Sequence, residues 1–158
     1  MSKGIALGII LVLVLSIAGC SSTPSKIKAT WATPTVNGDT VSIPASTVNS
    51  KNNVHFSVNS GQGPMGFVAY TLKGATQVRA RLCVPCRGES FTLNGDELVC
   101  DTCGTVFSAS TGVGIRGVSV CQSYTKVSVP FTTTADGNIT MKMVDLQTAF
   151  NKTVNRLP

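Results

Sequence analysis

The chain is poor in the residues that most enzyme chemistry draws on. It has one histidine, His55, and seven scattered acidic residues, with no carboxylate pair near an expected strand end, no phosphate-cradling glycine loop and no nucleophile elbow. Hydrolytic and group-transfer catalysis therefore lack their usual side chains, and an electron carrier or binding module is expected rather than a catalyst. Lys and Arg number 13, a formal charge of +6, yet there is no basic run, basic helix or aromatic interleaving of the kind that a nucleic-acid surface uses. No nucleic-acid partner is expected. Internal repeats, a long amphipathic helix and a second domain are absent too. So is the βαβ setting that thiol-disulfide chemistry through one C-x-x-C would need.

What the chain has is cysteine in a pattern. Cys83 and Cys86 form one C-x-x-C, Cys100 and Cys103 a second, with thirteen residues between the pairs. Each pair can close a tight turn that aims both sulfurs at one point. Between them, Phe91 and Leu93 on one side and Leu98 and Val99 on the other flank Asn94-Gly95, a strong hairpin signal. Folding there brings the two turns face to face, and four converging thiolates suit zinc or iron. Cys121 is a further candidate ligand. In an oxidising compartment two disulfides would also use the four paired cysteines.

That compartment is read from the N-terminus. Lys3 precedes an apolar run over residues 5–17, which ends in Ile17-Ala18-Gly19-Cys20. This is the pattern of a secretory signal closing on a lipoprotein box, and by resemblance to bacterial and archaeal lipoproteins Cys20 becomes the lipidated first residue. Residues 1–19 are then the signal peptide, 20–35 the lipidated cysteine and a Pro- and Ser-bearing flexible tether, and 36–158 the metal-binding domain. The expected location is the cell membrane, lipid-anchored through Cys20, on the extracytoplasmic side.

Short alternating stretches punctuated by Gly, Asn and Asp predict a mainly β fold, a small antiparallel domain carrying the two C-x-x-C loops on a hairpin. Val54, Phe56 and Val58 alternate, leaving His55 on the opposite face, expected at a surface or edge. Residues 65–72 read as a buried strand. Val127, Val129 and Phe131 alternate again, and 145–155 suggests a terminal helix with Leu146, Ala149 and Phe150 on one side. Gly112, Gly114 and Gly117 suggest a loose loop before Cys121.

From about residue 53 to 150 the chain resembles the FtrD-like iron-sulfur membrane protein family. The likeness rests on C-x-x-C, a hairpin, then Cys100-Asp101-Thr102-Cys103-Gly104-Thr105-Val106-Phe107 and a later glycine-preceded cysteine, here Cys121. The resemblance implies an iron-sulfur centre on Cys83, Cys86, Cys100 and Cys103, a role in iron uptake or respiration, and a redox or permease partner. Zinc, with a purely structural or binding role, is the alternative. The surroundings of Cys121, Gly117-Val118-Ser119-Val120-Cys121-Gln122-Ser123, depart from the family pattern. A fainter resemblance is to Rieske domains, with cysteine where their loops carry histidine; the alternatives for the fold are thus Rieske-like and zinc-ribbon-like. With one histidine the chain has no His₂ ligand set of its own.

Overall fold

The computed structural model describes residues 25–61 and 63–156. In chain order the strands are β1 (Lys26–Ile27), β2 (Thr30–Trp31), β3 (Thr35–Asn37), β4 (Thr40–Pro44), β5 (Asn53–Asn59), β6 (Pro64–Leu72), β7 (Ala75–Ala80), β8 (Phe91–Asn94), β9 (Glu97–Cys100), β10 (Val106–Ser108), β11 (Gly114–Arg116), β12 (Thr132–Thr133) and β13 (Asn138–Lys142). The helices are α1 (Ala45–Lys51), α2 (Ser119–Gln122) and α3 (Met143–Asn155). The expected signal peptide and Cys20 lie outside the described residues.

Strand β6 shows how the layers are arranged. Its apolar run has no alternation because both faces are covered. Phe67 and Ala69 face one core, with Val54, Phe56 and Val58 of β5 and Leu146 and Ala149 of α3; Val68 and Tyr70 face a second core, with Phe91, Leu98, Phe107, Cys83 and Cys100. Each large apolar side chain buried in this way contributes about 1.5–3 kcal/mol. Three sheets supply the layers: β2-β5-β6-β7, β12-β13-β4-β3 and β1-β8-β9-β10-β11. Pairing is antiparallel except between β2 and β5. The fold is thus mainly antiparallel β, as expected.

Two hairpins share one solution. In each, Asn and its partner close a two-residue loop of Gly-Asp: Asn37 pairs with Thr40 and Asn94 with Glu97. Gly38 and Gly95 take φ of 60° and 58°, with glycine first in the loop as the II′ turn requires.

Three expectations change. Residues 26–35 are not a free tether, since β1 pairs with β8 and β2 with β5; the folded body starts about ten residues before the expected boundary at 36. His55 is fully buried, not at an edge, because the third sheet covers the second face of β5. No continuous strand forms over 127–131. Ala80 N donates to Val127 O and Val129 N to Val78 O, at 3.0 and 2.9 Å, after which Pro130, having no N–H, cannot continue the ladder.

Candidate metal centre

The two cysteine loops are built alike. Strand β7 ends at Ala80, and Cys83 N then donates to Gly88 O at 2.8 Å, closing the first loop. Strand β9 ends at Cys100, whose N donates to Thr105 O at 2.9 Å and closes the second. The residue after the second cysteine takes positive φ in both: Arg87 at 54° and Gly104 at 71°. That turn folds each pair back on itself, and the β8–β9 hairpin, with Phe91 opposite Cys100, holds the loops against each other.

The four sulfurs of Cys83, Cys86, Cys100 and Cys103 all lie within 4.8 Å of one another. Cys83 and Cys100 are buried, while Cys86 and Cys103 are partly exposed. The centre therefore has an inner and an outer pair, one of each from each loop. All five described cysteines are free thiols, and Cys86 Sγ stands 3.8 Å from Cys100 Sγ, far beyond a disulfide bond. Cys121 is buried in α2 and is not among the four clustered sulfurs.

Without metal, the thiols compete for few charges. Cys100 is held down at about 5, chiefly by a hydrogen bond from Cys83 that outweighs burial, with the amides of Cys103 and Thr102 adding to it. Cys83 is pushed up by that same bond and by burial. Burial raises Cys86 to about 11. Burial also acts against the Cys103 thiolate, but the Thr105 hydroxyl and amide overcome it and lower Cys103. Backbone and hydroxyl donors thus already point at the sulfurs, as ligating thiolates need.

Those features fit a metal. The donor set is four thiolates, and Gly88 leaves the space they need: a Cβ there would stand 2.6 Å from Cys100 Sγ and 3.1 Å from Cys86 Sγ. A tetrahedral ion with metal–sulfur bonds of about 2.3 Å sets its sulfurs roughly 3.8 Å apart. The Cys86–Cys100 spacing of 3.8 Å equals that value, and all four sulfurs lie within 4.8 Å.

Three contributors were not legible as site residues. Thr105, fully buried, has its hydroxyl 3.1 Å from Cys103 Sγ and accepts from Val118 N at 3.2 Å, tying the second loop to the segment that leads into α2. That segment is not loose, since a Cβ on Gly117 would meet Thr105 Cα at 2.7 Å. Asn53 Nδ2 donates to Ile27 O and Phe91 O, both at 2.9 Å, and so fixes the hairpin under the site. Lys126 is buried, its ammonium donating to Leu82 O just before Cys83. The only available signal was a lone charge just before an alternating apolar stretch.

No curated protein matches the chain. Among solved structures, a chain in a complex of reduced oxygenase and oxidised ferredoxin in carbazole 1,9a-dioxygenase is similar, with a TM-score of 0.52 and 17% identity, over 68% of this chain and 95% of that one. At that identity the likeness shows the fold, and it agrees with the Rieske-like reading. No helix among the described residues is long and apolar enough to cross a membrane. The model of one family, described as membrane iron-sulfur containing protein FtrD-like, matches residues 48–152, and with well over half its length matched the chain belongs to the FtrD-like family of membrane iron-sulfur proteins.

Proposed function

We propose that this protein is a membrane-tethered electron carrier that holds iron on Cys83, Cys86, Cys100 and Cys103, serving iron uptake or respiration on the extracytoplasmic side. One observation carries the reading: four thiol sulfurs, all within 4.8 Å, lined by amide and hydroxyl donors. Bound iron would supply one-electron exchange. The chain's residues supply the rest. Cys83 and Cys100, sunk in the second core, keep water from the inner side, while the partly exposed Cys86 and Cys103 offer the edge at which an electron enters or leaves. A redox or permease partner would meet that edge, and the lipid on Cys20 would keep the domain near it. Four sulfurs this close together favour one iron per chain; zinc, which takes the same four-thiolate set, is the second reading and would leave a structural module with no redox role.

Replacement of single cysteines tests the assignment. Cys100→Ser should lose the metal and destabilise both loops, because ligand binding is coupled to folding, whereas Cys121→Ser should retain it. Full metal retention in Cys100→Ser would rule out the four-cysteine centre.

A further inference from the structure

A buried cation is anchored to the carbonyl just before Cys83, and it comes from a segment remote in sequence from both cysteine loops. Lys126 is 1% exposed. Its ammonium donates to Leu82 O at 2.9 Å and to Tyr124 O at 2.8 Å, and lies 4.3 Å from the centre of the Phe107 ring and 5.7 Å from that of Phe91. No carboxylate among the described residues is within ion-pair distance of it. Buried ammonium groups need an anion, and the groups whose ionisation would supply one here are sulfurs: Cys83 most strongly, then Cys100, Cys121 and Cys86. Burial lowers it to about 8 even against the raising effect of the sulfurs.

The two arginines of the strand end leading into the first loop, Arg79 and Arg81, are engaged elsewhere. Arg79 donates to Tyr70 OH and Lys126 O, both at 2.9 Å, and to Ser110 O. Arg81 donates to Ser57 Oγ at 3.0 Å and to Glu89 O, and stacks on Trp31 at 4.4 Å. Arg79 thus holds the backbone of Lys126 in place while the lysine ammonium reaches Leu82 O, the carbonyl just before Cys83.

We propose that Lys126 is the built-in counter-cation of the four-cysteine centre, a positioning residue that offsets thiolate charge, tightens metal binding and favours the reduced form of bound iron. The proposal rests on the reading that the four cysteines hold metal. Four thiolates around a divalent or trivalent ion leave net negative charge, and reduction adds one more; a fixed positive charge on the dry side favours both states, the reduced one more, and so raises the potential.

The test uses the full chain loaded with iron and, separately, with zinc. Lys126→Gln keeps a donor for Leu82 and Tyr124 but drops the charge, while Lys126→Arg keeps the charge. In the iron protein, Lys126→Gln should lose about tenfold in preference for the reduced form, a fall of about 59 mV for one electron, with Lys126→Arg restoring most of it. In the zinc protein, Lys126→Gln should lose metal to a chelator at about tenfold lower chelator concentration. Should the glutamine variant not fold, nitrogen NMR of the wild-type zinc protein answers: the Lys126 ammonium should stay charged at pH 9. A folded Lys126→Gln with wild-type potential and zinc retention, or a neutral Lys126 at pH 7 in the zinc protein, would overturn the proposal. A wild-type chain that takes up neither metal overturns the metal reading itself, and this proposal with it.

Discussion

The two glycines that follow the cysteine pairs sit in matching loops for opposite reasons, and substitution by alanine separates them. At Gly88 the backbone is ordinary but the space is taken. A new Cβ would be 2.6 Å from Cys100 Sγ, 3.0 Å from Thr102 Oγ1 and 3.1 Å from Cys86 Sγ. Ordinary contact begins near 3.4 Å, so Cys100 Sγ must retreat by 3.4 − 2.6 = 0.8 Å. Metal–ligand distances tolerate about 0.2 Å, so the displaced sulfur cannot keep its bond without moving the loop. At Gly104 there is nothing within 4 Å of a Cβ, but φ is +71°, which costs an alanine about 1–2 kcal/mol. Gly88→Ala should therefore weaken metal binding by at least the 10- to 100-fold that loss of a supporting contact costs, while Gly104→Ala should keep near-normal affinity and lose only stability. Chelator competition on the zinc-loaded proteins, read beside thermal melts, distinguishes the two. Wild-type zinc affinity in Gly88→Ala would refute the claim that the sulfurs need the space this glycine leaves.

Other expectations follow from single residues. His55 is held at about 3, first by burial and then by the nearby Arg81 charge, against an unfolded value near 6.5. Its folded form resists a proton that the unfolded chain accepts, so its contribution is intact above pH 6.5 and is lost as pH falls from 6.5 toward 3. Between pH 7 and pH 5 the wild type should lose about 2 kcal/mol more than His55→Gln, and equal losses in urea denaturation would contradict this. Arg87 sits at φ 54°, where Gly104 sits in the other loop; Arg87→Gly should gain roughly 0.5–1 kcal/mol, left-handed strain relieved less the entropy given to the unfolded chain. A lower melting temperature in the metal-loaded variant would count against that.

The cysteine centre was readable because its logic is local. Two C-x-x-C turns and a glycine-led hairpin sit within about twenty residues, and the same short-range chemistry that makes each turn also makes them meet. Terminal helix α3 was readable for a similar reason: Leu146, Ala149 and Phe150 fall on one side at helical spacing. What could not be read depends on layers that sequence spacing does not reveal. His55 looks like a surface residue on an alternating strand, and becomes buried only because a third sheet, begun by the supposed tether at Lys26–Ile27, closes over β5. Thr105 and Lys126 act through contacts 13 and 44 residues away, to Val118 and Leu82. The glycines before Cys121 suggested looseness, whereas Gly117 is there for a close approach to Thr105.

The central claim, that four cysteines hold a redox-active iron centre, is tested most directly by purifying the full-length chain from membranes without oxygen and measuring metal content with the visible spectrum. The expected result is a coloured protein with one iron per chain, its colour bleached on reduction and lost in Cys100→Ser. A colourless protein with stoichiometric zinc, or with Cys83, Cys86, Cys100 and Cys103 joined in disulfides, would contradict it.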